Sequence, residues 1–225
     1  MSAMTSGPRQ LALALPHAEN FAREDFLSGP SNEAALRLVE QWPDWPARSA
    51  ALVGPHGSGK SHLAAIWAGH AGARFLSGRA LKATELPAAL ATGALVLEDL
   101  VPGELDERAL FHLLNLAREE DAFLLLTART APAGWSVGIA DLASRLRAIP
   151  AVTLSPPDDA LWRAVLVKLF ADRQLMIDAS VVSYLATRLE RSFAAARAAV
   201  DLLDREALRR QRPVTRALAA EVLRE

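Results

Sequence analysis

An α/β fold built on a parallel sheet, followed by a helical C-terminal domain, is the fold class this sequence predicts, on three observations. First, five short apolar runs, at 49–53, 73–76, 94–99, 123–127 and 150–154, alternate with longer stretches of helical periodicity. That is the pattern of buried parallel strands joined by crossover helices. Second, the first run leads directly into Gly54-Pro55-His56-Gly57-Ser58-Gly59-Lys60-Ser61, and then into a helical segment with Leu63, Ile66 and Trp67 on one face. Strand, glycine-rich loop and helix in that order fit the phosphate-loop pattern G-x-x-x-x-G-K-[ST]. Third, the composition shifts at Pro156-Pro157, and everything beyond it reads as helix.

A chain of 225 residues, about half of them hydrophobic, suits one large domain or two smaller ones with a sizeable core. It has no cysteine, which excludes disulfides and thiolate metal sites and fits a reducing cytoplasm. A formal net charge of −1 excludes a global attraction to nucleic acid. No uncharged apolar segment is long enough to cross a bilayer, and residues 1–9 lack the pattern of a signal peptide, so the expected location is the cytoplasm, with no membrane partner.

Residues 1–19 are read as a flexible N-terminal peptide, 20–155 as the α/β domain and 156–225 as the helical domain. Within the peptide, Gln10-Leu11-Ala12-Leu13-Ala14-Leu15 places three leucines on one side of an extended strand. It could enter a partner's apolar groove with Gln10 as a polar anchor, or pack as a strand on its own domain. Ser31 is the expected N-cap of a helix running to about residue 41. The tryptophans at 42 and 45 are expected to cover the edge of the core. A short helical stretch at 81–91 is interrupted by Pro87. Helices are further expected at 104–119, 140–146, 161–172, 179–188, 193–209 and 215–224.

The chemistry gathers at the carboxyl ends of the strands. The loop's glycines let backbone N–H groups turn toward phosphate oxygens, Lys60 supplies a mobile charge, and Ser61 offers a hydroxyl to Mg²⁺. Residues Gly57, Ser58, Gly59, Lys60, Ser61 and His62 are therefore the expected nucleotide-binding stretch. The third strand ends in Glu98-Asp99. With Ser61, this pair could hold Mg²⁺ and orient a water, or it could simply be an acidic strand end facing solvent. Thr127, at the tip of the fourth strand, could meet a terminal phosphate or the attacking water, or cap the following loop. Arg205, Arg209, Arg210 and Arg212 form a basic stretch, read as a solvated helix face or a weak DNA contact.

Five strands with acids on the third, a polar tip on the fourth and a four-helix lid resemble the AAA+ family over residues 21–225. Within that family the chain resembles the DnaA-related branch, and most of all its regulatory inactivators. The residues that carry the resemblance are Phe26-Leu27-Ser28-Gly29-Pro30-Ser31-Asn32, the phosphate loop, Leu142-Ala143-Ser144-Arg145-Leu146, and the helix from Ala195 to Arg205.

The resemblance implies a sheet in the order 5-1-4-3-2, ADP or ATP between sheet and lid, and Mg²⁺. It implies that Arg145 is an arginine finger directed at a neighbour's nucleotide and that Arg197 is a lid arginine on the chain's own phosphates. Phe26, Leu27 and Asn32 fall around the adenine, with Pro157 at the lid hinge. It also implies that Gln10, Leu11, Leu13 and Leu15 bind the sliding clamp, the β subunit of DNA polymerase III, with DNA reached through the clamp. DnaA is the implied partner, and a homodimer or nucleotide-dependent oligomer is a further implied assembly. The family order at the strand end is Asp then Glu, reversed here, which implies weak intrinsic ATPase activity. No helix-turn-helix follows the lid and the 75–95 segment is short, so initiation itself is not expected. The implied function is negative regulation of replication initiation, by stimulating hydrolysis of DnaA-bound ATP. An ATPase loader or motor on DNA, and a non-catalytic nucleotide-dependent adaptor, are the alternatives.

Overall fold

The computed structural model describes residues 21–223, so the peptide with Gln10, Leu11, Leu13 and Leu15 lies outside the described residues. Along the chain run α1 (Glu33–Glu40), β1 (Ser49–Val53), α2 (Lys60–Ala71), β2 (Arg74–Ser77), α3 (Leu86–Leu90), β3 (Ala94–Leu100), α4 (Glu107–Glu119), β4 (Phe123–Ala128), α5 (Ala140–Ala148) and β5 (Ala151–Thr153). The five strands form one sheet in the order β2-β3-β4-β1-β5, every pair parallel. This is the expected order read from the opposite edge. Parallel strands of such apolar composition must be covered on both faces.

Alternation along the strands divides the core in two. Leu95, Leu97, Leu124 and Leu126 face α3, α4 and α5, where Leu90, Leu110, Leu113 and Leu142 pack. Ala94, Val96, Leu125 and Leu52 face α1 and α2, against Val39, Leu63 and Trp67. Trp45 closes that second face. Its ring stacks on Trp67 at 5.2 Å between centroids, and its indole N–H donates to Leu38 O at 2.7 Å.

Four further helices follow: α6 (Asp159–Ala171), α7 (Ala179–Arg188), α8 (Phe193–Arg210) and α9 (Arg216–Val222). They enclose a core of their own around Trp162, Phe170, Leu185, Val200 and Leu218. Side chains of Asp158, Ser192 and Thr215 cap α6, α8 and α9 by accepting from backbone N–H groups of the first turn. In the basic stretch, Arg209 and Arg210 pair with Glu206, and Arg210 also with Glu221. Those two charges are thus answered within the helical layer. No helix among the described residues is long and apolar enough to cross a membrane.

Three local expectations are corrected. Helix α1 is entered at Asn32 rather than Ser31, and Asn32 does not cap it with its side chain. Its Oδ1 accepts from Gly29 N–H at 2.9 Å and its Nδ2 donates to Leu27 O at 3.0 Å, so the buried amide braces the preceding turn instead. Pro87 sits in the first turn of α3 and does not interrupt it; a residue without an N–H is tolerated there because that donor has no helical acceptor. Strand β3 runs on to Leu100, past a register irregularity between Leu97 and Leu100.

Trp45→Ala removes a buried ring stacked on another. The expected loss is roughly 3 kcal/mol of unfolding free energy, read from the shift in denaturant midpoint.

Candidate nucleotide site

The site begins where β1 ends. Gly54 N–H donates to Ala128 O at 3.1 Å, tying the first loop residue to the end of β4. A Cβ on Gly54 would stand 2.5 Å from Leu154 O, so no larger residue fits between β1 and the chain leaving β5. Gly59, with φ of 99°, turns the chain into α2. The loop therefore hands its backbone directly to a helix N-terminus, where unpaired N–H groups and the helix dipole favour an anion.

Lys60 is buried, and its amine donates to Gly54 O at 2.9 Å and Pro55 O at 2.8 Å. Burial holds its pKa below the ordinary lysine range; nearby Asp99 opposes this shift, and Arg129 reinforces it. The Ser58 hydroxyl is buried and has no hydrogen-bond partner among the described residues. A loop with a desolvated cation and an orphaned hydroxyl fits a group that brings its own oxygen atoms, as a nucleotide's phosphates do.

The strand ends supply the polar edge. Glu98 is half-buried and Asp99 is exposed. Asp99 adopts φ of 53°, a left-handed conformation that aspartate tolerates better than most residues. Its N–H donates at 3.0 Å to the Oγ1 of Thr127, which is fully buried. Neither reading offered for Thr127 by sequence included this bond. The hydroxyl braces the bulge of β3, leaving its own hydrogen for a second partner. Ser61 is exposed at the start of α2, across the same edge. A hydroxyl and two carboxylates suit Mg²⁺, which takes few protein oxygens and completes its shell with phosphate and water.

At the other end of the loop the lining is aromatic. The His62 ring meets Phe21 and Phe26 edge-on, at 5.3 Å and 5.2 Å between centroids, and its Nε2 lies 3.1 Å from Ala22 O. Leu27 packs against the core of the C-terminal helices, and Pro157 is buried where the chain enters them. These helices also reach the loop itself. Phe193 N–H donates to Gly57 O at 2.8 Å, and a Cβ on Gly57 would lie 3.0 Å from the Cβ atoms of both Ser192 and Ala194. Gly57, with φ of 70°, is thus required both by its backbone and by the approach of α8. Arg197 lies one turn further along α8, with its guanidinium 5.6 Å from the Phe21 ring centroid. Ser192, Phe193 and Ala194, at the start of α8, are the residues set against the loop at Gly57.

Arg145 lies elsewhere. With Arg48, Arg118 and Asp121 it lines a cavity of about 350 Å³ formed by the start of β1, the turn before β4 and the end of α5. Its guanidinium sits 5.5 Å from the Phe111 ring centroid. The cavity opens at the amino edge of the sheet, whereas the loop follows the carboxyl end of β1, roughly 16 Å away along a five-residue strand.

Sequence reasoning missed Phe193, whose role depends on where α8 lands. It also missed Arg129, for which a signal existed: it stands two residues beyond the polar tip of β4, on the edge where the phosphate loop lies.

No protein-family profile and no curated protein sequence matches the chain. Its structure does have similar solved relatives. Domain III of the Thermotoga maritima replication initiation protein DnaA superposes with a TM-score of 0.77 at 18% identity, covering 91% of this chain and 95% of that one. The Thermotoga maritima RuvB Holliday junction branch migration motor gives 0.72 at 18% identity over 91% of this chain and 72% of that one. AMPPCP-bound DnaA from Aquifex aeolicus gives 0.67 at 19% identity over 85% and 68%. Together with the strand order, these show that the chain has the fold of an AAA+ domain, a parallel sheet followed by helices.

Thr127→Val keeps the shape of the side chain and removes the acceptor for Asp99 N–H. The expected cost is about 1–3 kcal/mol of stability, with Thr127→Ser recovering most of it in the same unfolding assay.

Proposed function

We propose that this protein binds an adenine nucleotide between its sheet and its C-terminal helices and acts in trans, presenting Arg145 to ATP held by a DnaA subunit. On this reading it is a negative regulator of replication initiation, comparable to Hda, the regulatory inactivator of DnaA. Its N-terminal peptide, through Gln10, Leu11, Leu13 and Leu15, docks on the sliding clamp loaded on DNA, which raises its effective concentration at replicating DNA.

The observation that carries the reading is the position of Arg145. It projects from α5 at the amino edge of the sheet, away from the chain's own phosphate loop. A guanidinium there cannot serve its own nucleotide and is exposed enough to serve another's. Arginine suits that task because it remains charged and can bond two phosphoryl oxygens at once. The similarity to DnaA domain III supports a partner built on the same plan, because like folds can adjoin in one continuing assembly.

In the chain's own site, bound nucleotide would supply the phosphates and, with Mg²⁺, the charge that the loop is shaped to receive. Gly57 to His62 would hold the phosphates, Ser61, Glu98 and Asp99 would hold the metal, and Phe26, Leu27, Asn32 and Pro157 would enclose the base. Arg197, beside Phe21, contributes from the helical side. Because Phe193 N–H and Gly57 O join the two layers at the loop, occupancy and the angle of the helices are coupled.

A second reading has one observation in its favour: the fold superposes on the RuvB branch migration motor nearly as well as on DnaA domain III. As a motor or loader the chain would hydrolyse ATP by itself, with Asp99 as the base. The two readings separate in one experiment, the turnover of DnaA-bound ATP in the presence of clamp-loaded DNA. Wild-type protein is expected to accelerate it. Arg145→Ala is expected to lower that acceleration about a hundredfold or more, as loss of an arginine finger does, and Gln10→Ala to lower it at limiting protein concentration. Unchanged turnover with both variants sinks the proposal. Rapid DnaA-independent hydrolysis abolished by Lys60→Ala would favour the motor.

A further inference from the structure

Two arginines at the α7–α9 face of the helical layer have no part in the roles assigned so far. Tyr184 of α7 is buried in the core of the C-terminal helices. Two guanidiniums share its ring: that of Arg188 stands 4.0 Å from the ring centroid and that of Arg216 stands 6.0 Å from it. The two cations are thus within roughly 10 Å of each other, each attracted to the same aromatic ring. Arg188 is the last residue of α7 and Arg216 the first of α9, so the ring gathers the ends of two helices at one point of the surface.

Neither side chain is consumed by the protein. Both are exposed, and among the described residues no hydrogen bond or ion pair engages either. This sets them apart from Arg209 and Arg210, which Glu206 answers, and from Arg163 and Arg191, which share Asp159. Arg188 ends a helix, where a cation is favoured, so helix stability alone accounts for it. Arg216 has no such account. It begins a helix whose first turn carries no acid, the end where a cation is disfavoured, and it stands beside a second cation. Two like charges placed together against the local field are relieved by an anion that meets both.

The chemistry of that anion follows from the donors. A guanidinium presents a planar fork that matches the oxygen atoms of a phosphate. Phosphates along one strand of duplex DNA advance about 3.4 Å each along its axis, so two exposed guanidiniums at this spacing can meet neighbouring phosphates of one strand. Contacts of that kind hold the backbone and carry no sequence information. With a formal net charge of −1 the whole chain has no long-range attraction to DNA. A local pair of cations therefore acts where the protein is already held beside DNA, at high effective concentration.

We propose that the α7–α9 face, through Arg188 and Arg216, is a docking surface for the phosphate backbone of duplex DNA. The choice of DNA as its occupant rests on the reading of the chain as a regulator that works on clamp-loaded DNA. On this proposal the chain meets DNA directly as well as through the clamp. The surface uses neither the phosphate loop nor Arg145, so substitution separates it from both.

The test is the affinity of the full chain, without clamp or DnaA, for two short labelled duplexes of unrelated sequence, by fluorescence anisotropy over a series of salt concentrations. Wild type, Arg188→Ala, Arg216→Ala, the double variant, Arg216→Lys and Arg37→Ala are compared, with melting temperatures to confirm folding. Each single alanine variant is expected to weaken both duplexes alike, about threefold or more at low salt, and to lower the slope of log affinity against log salt by about one. The double variant is expected to lower the slope by about two. Arg216→Lys, which keeps the charge, is expected to keep most of the slope. Arg37→Ala removes an exposed charge from α1 and is expected to bind as wild type does. A double variant that binds like wild type, a loss confined to one duplex, or a wild-type chain that binds neither duplex at low salt overturns the surface. Labelled polyglutamate bound as tightly as DNA also overturns it, since the occupant is then an acidic protein segment. Where the duplex assay fails but DnaA-bound ATP turnover still depends on Arg145, only this surface falls; where both fail, the regulatory reading falls with it.

Discussion

A buried lysine amine governs this structure. Taking a cation out of water is costly unless other groups replace its hydration. Around Lys60 the protein supplies only part of that replacement: two carbonyls of its own loop, Gly54 O and Pro55 O, and the nearby carboxylate of Asp99. Arg129 adds positive charge to the same corner. The neighbourhood is under-neutralised by design of the fold, since each contributor comes from a different strand end or loop held in register by the sheet. β1 lies between β4 and β5, and the bond from Gly54 to Ala128 sets the loop at the centre of the carboxyl edge. The phosphate loop, the acid pair and the cationic tip of β4 converge because parallel strands all end on one side.

The C-terminal helices depend on the same point. Their core is separate from the two faces of the sheet, yet α8 touches the loop through Phe193 and through the small side chains of Ser192 and Ala194. Glycine at 57 permits that approach. A ligand that spreads or stiffens the loop therefore acts directly on the first turn of α8, and from there on a helix of 18 residues packed through its length. The opposite edge of the sheet, with Arg145, Arg48 and Arg118, belongs to a different surface.

The fold was legible because its signals are local. Apolar runs of strand length and a fixed-spacing loop declare themselves without reference to distant residues. The strand order did not follow from periodicity; it came from the family resemblance carried by the motifs. What stayed hidden depends on tertiary placement. Pro87 begins a helix because the chain turns just before it, and Asn32 braces a turn because burial brings Gly29 and Leu27 within reach. The left-handed backbone of Asp99 arises from an irregular register with β4 that no pattern of residues announces. At the site, the loop and the acid pair could be read from spacing. That Ser192, Phe193 and Ala194 meet the loop is decided by the rotation and docking of α8, which helical periodicity leaves open. The role of Thr127 as acceptor for Asp99 N–H likewise needs two strands in register.

The central claim is that the buried lysine and its loop exist to hold a nucleotide. The most direct measurement is to denature the purified protein and identify by chromatography any nucleotide released, alongside the change in melting temperature on adding ADP or ATP to nucleotide-free protein. The account predicts a released adenine nucleotide approaching one per chain, absent from Lys60→Ala, and a rise in melting temperature with added nucleotide that the variant lacks. No released nucleotide, together with a melting temperature indifferent to both ADP and ATP, would contradict it.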